Sequence, residues 1–79
     1  MERKNTILTT LRDYFLLEAA DIALYPENSP EHIRAERSAA NTYRTVFELF
    51  GTQAAEALRE EAVRKWPALG DAASAQRRF

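Results

Sequence analysis

Apolar residues recur at helical spacing along most of the chain, in three blocks separated by short breaks. The first block is densest in the segment YFLLEAADIALY, residues 14–25. At about 100° per residue, one side of a helix collects an apolar stripe made of Ile7, Leu8, Leu11, Tyr14, Phe15, Ala19, Ile22 and Tyr25. We expect this stripe to face the protein core.

The same helix is also apolar on its opposite side, where a surface helix should be polar. Leu17, Ala20 and Leu24 follow the i, i+3, i+7 spacing of a contacting surface, and Leu16 adjoins them. Two interpretations remain open. Helix 1 lies between two other helices and both sides are internal, or the second side contacts a partner protein or a second copy of the chain.

The breaks between the blocks predict where helices end and begin. Pro26 disfavours helical geometry in the residue before it, and Ser29 followed by Pro30 is typical of a helix start. Gly51 is a typical helix terminator. These signals predict helix 1 at about residues 6–25, capped by Asn5 or Thr6, helix 2 at about 30–50, helix 3 at about 53–66, capped by Thr52, and a frayed tail at 71–79.

Short connections make consecutive helices antiparallel neighbours. We therefore predict a single all-α domain over residues 1–79: a three-helix bundle with a long antiparallel hairpin and a shorter third helix. Ile22 should then face Ile33, with the heaviest helix 2 packing near Phe47. Helix 3 has a narrow, alanine-rich apolar side, and its Glu61 and Lys65 have the i, i+4 order of a solvated face.

Composition excludes several classes of function. The 79 residues include no cysteine, so no disulfide, thiolate metal site or cysteine nucleophile is available. The 11 Lys+Arg nearly balance 12 Asp+Glu, which argues against nonspecific binding to nucleic acid or an anionic membrane. No apolar run reaches the roughly 18 residues of a membrane span, and the first residues lack a signal-peptide pattern. We expect a soluble, cytoplasmic protein.

Three polar residues fall where apolar ones are expected. Glu18 interrupts the core stripe of helix 1, and Glu36 interrupts that of helix 2, with His32 one turn earlier. Carboxylates and an imidazole that converge between helices can bind a divalent metal, so a metal-binding bundle is one alternative. The other interpretation is a polar layer in which neighbouring side chains neutralise the carboxylates, with Arg37, Arg44 or Tyr43 as the partners. In that case His32 is a partly exposed residue near the helix start.

Basic residues lie along one side of helix 2, namely Arg34, Arg37 and Arg44. Together with the glycine between helices 2 and 3, they allow a second alternative, a small DNA-binding regulator of the helix-turn-helix type. Against it, helix 3 opens with Glu56 followed by Glu60 and Glu61, and acidic groups repel the DNA backbone. Nucleic acid is therefore an unfavoured partner.

No nucleophile, oxyanion site or glycine-rich phosphate loop accompanies these residues, so we expect a non-enzymatic protein without a cofactor. The preferred interpretation is a protein-interaction module, such as a small adaptor, regulator or inhibitor, that binds a larger protein or forms a homodimer. The residues predicted to bind the partner are the second apolar side of helix 1 and the basic side of helix 2: Leu16, Leu17, Ala20, Leu24, Arg34, Arg37 and Arg44.

Overall fold

The computed structural model describes residues 2–70, which form three α-helices and a closing turn. Helix α1 is Glu2–Leu24, α2 is Pro30–Phe50, α3 is Thr52–Lys65, and a short 3-10 helix follows at Pro67–Gly70. Helix α1 packs against both α2 and α3, and α2 also packs against α3. The predicted all-α three-helix bundle is confirmed. The tail that the sequence predicts to fray, 71–79, lies outside the described residues.

Helix α1 begins at Glu2, earlier than the spacing predicts. Asn5 and Thr6 lie inside the helix and do not cap it, and the carbonyl oxygen of Thr6 accepts a hydrogen bond of 2.9 Å from the hydroxyl of Thr10. The prediction of a start near Thr6 was wrong because the apolar pattern begins only in the second turn of the helix. A helix can extend beyond its buried part when solvent satisfies its end.

The loop between α1 and α2 is built around Ser29. Its hydroxyl accepts a hydrogen bond of 3.2 Å from the amide of His32 and donates one of 2.8 Å to the carbonyl oxygen of Pro26. Pro30 then occupies the first helical turn, where a missing amide hydrogen is harmless. Ser29 therefore caps α2 in the position that the sequence indicates.

Gly51 alone separates α2 from α3. Its φ of 95° favours glycine, and its amide donates a 2.9 Å hydrogen bond to the carbonyl oxygen of Phe47. The same glycine is the residue before α3, which begins at Thr52 and has no side-chain cap. The expected Thr52 cap was wrong because a one-residue link leaves the threonine inside the helix.

The core is built mainly from small residues. Five buried alanines come from all three helices, and larger side chains fill the space between them at a few positions. Leu69 is only 1% exposed, so the closing 3-10 helix folds back onto the bundle. The buried apolar residues are Phe15, Ala19, Ile22, Ala35, Ala39, Val46, Ala55, Leu58, Ala62 and Leu69.

The buried side of each long helix is narrower than its apolar stripe. On α1, Ile7, Tyr14 and Tyr25 were expected in the core but are exposed. On α2, the buried residues are spaced by three or four positions, and two of them are polar. Two apolar residues that were expected in the core are half exposed instead, at 45% for Ile33 and 46% for Phe47. The predicted packing centre near Phe47 was therefore wrong, and Ile33 does not join Ile22 in the buried core. Helices α1 and α3 together leave part of the wide α2 stripe exposed.

A bidentate ion pair joins α1 to α3. Nε of Arg12 donates a 2.8 Å hydrogen bond to Glu61 Oε1, and Nη2 of Arg12 pairs with the other carboxylate oxygen. The hydrogen bonds from Arg12 lower the pKa of Glu61 below its ordinary value of 4.5. Glu61 therefore does not belong only to a solvated face, as its spacing to Lys65 suggested. The ion pair holds α3, the helix with the narrowest apolar side, against α1.

We expect a double-mutant cycle of Arg12→Gln and Glu61→Gln to show favourable coupling at pH 7. Because the folded-state pKa of Glu61 is lowered, its contribution is present above the unfolded value of 4.5 and is lost as the pH falls through the folded-state pKa. Urea unfolding of the four proteins between pH 7 and pH 3 measures this dependence. Coupling that persists unchanged at pH 3 would contradict the assignment.

Candidate functional site: the uncovered face of the first helix

The second apolar side of α1 is partly uncovered in the folded chain. Leu17 is 66% exposed and Leu24 is 73% exposed, whereas Leu16 and Ala20 are half-buried. We call these four residues the α1 apolar face. Of the two interpretations that the sequence leaves open, full burial of both sides does not occur, because Leu17 and Leu24 stay mostly exposed although α1 packs against both other helices.

A shallow apolar groove of about 400 Å³ lies between the α1 apolar face and the end of α3. Asp13, Leu16, Leu17 and Ala20 line it from α1, and the half-buried Trp66 lines it from the residue that follows α3. We call it the Trp66 groove. Aromatic residues beside exposed leucines are typical of surfaces that bind other proteins.

A second groove, of about 460 Å³, lies on the other side of the face, between α1 and α2. Leu17 and Ala20 line this groove as well as the Trp66 groove, so they form a ridge between the two. We call the second groove the acidic groove, after its charged and aromatic lining, which comprises Tyr14, Glu18, Asp21, Tyr25, Glu31 and Arg34.

Glu18 is buried in the acidic groove, with only 6% of its surface exposed. Each of its carboxylate oxygens exposes less than 1 Å² and has no hydrogen-bond partner in the part of the chain that the structure describes. Burial raises the pKa of Glu18 above its ordinary value of 4.5, and the negative charge of Asp21 adds to this rise. The nearby hydroxyls of Thr42 and Ser38 on α2 partly offset the rise, although neither completes a hydrogen bond of normal geometry.

The neutralising partners that the sequence suggested for Glu18 are engaged elsewhere or exposed. The hydroxyl of Tyr43 donates a 3.0 Å hydrogen bond to Glu56 on α3, and Arg44 donates one of 3.2 Å to Asn41. Arg37 is exposed. The expected satisfied polar layer is therefore wrong for Glu18, because none of these three side chains forms a hydrogen bond with its carboxylate.

His32 is 2% exposed, so its expected position as a partly exposed residue was wrong. Its Nδ1 lies 3.1 Å from the carbonyl oxygen of Tyr25, and since a carbonyl only accepts, Nδ1 carries the proton. Its Nε2 lies 3.3 Å from Glu36 Oε2, within ion-pair distance but without hydrogen-bond geometry. The ring thus ties the loop to α2.

The structure does not gather Glu18, His32 and Glu36 into one site. Across residues 2–70, no three carboxylate or imidazole side chains lie close enough to hold a metal ion. Glu18 faces the Ser38 and Thr42 turns, whereas His32 and Glu36 pair one or two turns closer to the start of α2. The expected convergence of these three residues on one metal site was therefore wrong.

The three arginines predicted to bind a partner are all exposed. Arg34 lines the acidic groove, and Arg34 and Arg37 also line a shallow groove of about 430 Å³ beside Ile33. Arg44 lines neither of these grooves. The one-residue link at Gly51 is shorter than the three or four residues of a helix-turn-helix turn, which argues against that motif.

Sequence reasoning missed several residues that shape the site. Tyr14 and Tyr25 were assigned to the core but flank the acidic groove, and Trp66 forms one wall of the other groove. Arg12 was not singled out, although it holds α3 through Glu61. Helical spacing could not reveal these positions, because they depend on how separate elements of the chain pack against each other.

Comparisons of this chain with protein-family models, with curated proteins and with solved structures found no match. Within residues 2–70, none of the helices combines the length and the apolar character that crossing a bilayer requires.

We expect Glu18→Gln to stabilise the protein at pH 7 by about 1 kcal/mol, because the variant removes a buried charge that no side chain of residues 2–70 pairs with. The folded-state pKa of Glu18 is raised, so the wild-type penalty is full above that pKa and disappears as the pH falls to the unfolded value of 4.5. Urea unfolding of both proteins from pH 8 to pH 4 measures the difference.

Glu48→Gln is the matched control, because it removes one negative charge from an exposed position on α2. Its effect should be small at every pH. A Glu18→Gln variant that is less stable than wild type at pH 7 would show that the carboxylate makes favourable interactions in the folded state.

Proposed function

We propose that this protein acts by contact: it is a non-enzymatic interaction module that binds another protein, or a second copy of itself, through the α1 apolar face. The exposure of Leu17 and Leu24 carries this proposal, since large apolar side chains at 66% and 73% exposure gain free energy when a partner covers them. An adaptor, a small regulator or an inhibitor would use such a surface.

The arrangement around the face supports the same proposal. Leu17 and Ala20 form a ridge with a groove on each side, so a partner segment has a raised apolar contact and two recesses for flanking side chains. Interfaces commonly combine an apolar centre with a polar rim. Trp66 contributes aromatic surface at one side of the ridge, and Arg34 contributes charge at the other.

Cytoplasmic action is part of this proposal. A chain without cysteine fits a reducing compartment, and it needs no disulfide to hold its three helices together.

We expect Leu17→Glu combined with Leu24→Glu to keep the helical content while weakening association at least tenfold. Each leucine is mostly exposed in the single chain, so the added charges destabilise the complex, where they become buried, more than they destabilise the fold. Circular dichroism measures the helicity, and sedimentation velocity over a dilution series measures self-association. Photo-crosslinking in cells from p-benzoylphenylalanine at position 17, with and without Leu24→Glu, measures capture of a different protein.

Leu49→Glu combined with Ala57→Glu is the control, because both positions are exposed and the same charge is added away from the α1 apolar face. This control should associate like the wild type. Unfolding of the Leu17→Glu, Leu24→Glu variant would show that these leucines belong to the core. A wild-type chain that stays monomeric and forms no specific crosslink from position 17 would refute the proposed function.

A further inference from the structure

The acidic groove has an unbalanced charge. Among its described lining residues, the carboxylates of Glu18, Asp21 and Glu31 outnumber the guanidinium of Arg34. Glu18 lies at the floor of the groove, since it and Ala35 are the most buried residues of the lining at 6% exposed each. The groove therefore presents a negative surface, and its deepest carboxylate has no hydrogen-bond partner among residues 2–70.

An unpartnered buried carboxylate weakens a fold, because it loses its hydration without gaining a hydrogen bond. Buried charges in folded proteins are normally paired. A cation is the partner that best compensates a buried carboxylate, and no side chain within residues 2–70 supplies one, because Arg34 lines the groove without a hydrogen bond or ion pair to Glu18. The groove opens beside Leu17 and Ala20, which also belong to the α1 apolar face.

We propose that the partner protein that covers the α1 apolar face inserts an arginine side chain into the acidic groove, where its guanidinium pairs with the carboxylate of Glu18. This inference rests on the proposed function. Arginine fits better than lysine for two reasons. Its planar fork binds a carboxylate through two hydrogen bonds, and its flat face stacks on aromatic rings such as those of Tyr14 and Tyr25 at the sides of the groove.

The carboxylate oxygens of Glu18 are turned towards Ser38 and Thr42 in the free chain and expose less than 1 Å² each. Binding therefore includes a rotation of the Glu18 side chain towards the groove. The rotation gives up incomplete contacts with two hydroxyls and gains two charge-assisted hydrogen bonds. Asp21 from α1 and Glu31 from α2 add attraction at the rim, and Arg34 opposes it.

The test uses the full chain and a minimal probe, Nα-acetyl-arginine amide, with the lysine analogue and the neutral citrulline analogue for comparison. Amide chemical shifts report binding, and the carboxyl carbon of Glu18 reports its ionisation. We expect the arginine probe to shift the signals of Glu18, Ser38 and Ala35, and to lower the pKa of Glu18. The citrulline analogue should bind at least tenfold more weakly.

Glu18→Gln should also weaken the arginine probe at least tenfold, whereas Glu48→Gln, which removes the same charge from an exposed site on α2, should change its affinity less than twofold. Glu18→Gln is expected to fold at least as stably as the wild type, so lost binding is not lost structure. Equal binding of arginine and citrulline, unchanged binding to Glu18→Gln, or no shifts at concentrations on the order of tens of millimolar would overturn the inference.

The inference and the proposed function can fail separately. Leu24 does not line the acidic groove, so Leu24→Glu should abolish partner capture and leave probe binding intact. Probe binding by a chain with no partner at the α1 apolar face would refute the function and leave an isolated guanidinium site. If Glu18→Gln does not weaken partner capture, the proposed pairing of a partner arginine with Glu18 is refuted. If the chain forms a homodimer that Glu18→Gln dissociates, the arginine comes from a second copy of the chain, and the proposal of a different partner protein is overturned.

Discussion

The fold depends on close packing of helices across alanine. Ala19 on α1, Ala35 and Ala39 on α2, and Ala55 and Ala62 on α3 are all buried, and such small side chains let helix backbones approach each other closely. The buried residues of α1 form one strip along the helix. Leu17 and Leu24 lie outside this strip and remain at the surface.

The weak apolar contribution of α3 makes its polar contacts important. Its buried positions are two alanines and Leu58, which together bury little apolar surface. Two contacts fasten it to the hairpin: Arg12 of α1 pairs with Glu61, and Tyr43 of α2 donates to Glu56. With α3 held at these points, its end brings Trp66 beside the α1 apolar face without covering it.

Glu18 sets the chemistry of the acidic groove. It occupies the buried strip of α1, next to Ala19, where apolar residues are the rule. A carboxylate there lowers the stability of a small domain that buries little apolar surface. Such a residue is understandable if a binding partner supplies the compensating charge. The apolar ridge at Leu17 and the carboxylate at the floor of the adjoining groove then act as two parts of one binding surface.

The sequence by itself determined the three helices, their antiparallel order and the breaks between them, because proline, the Ser29 cap and Gly51 act through local backbone geometry. It also revealed that α1 is apolar on two sides. Only the tertiary structure decided which part of each apolar stripe is buried, which left Tyr14 and Ile33 outside and placed His32 inside. That outcome depends on how closely the helices approach and on contacts between distant positions, such as Arg12 with Glu61, and the periodicity of a single helix carries no information about either.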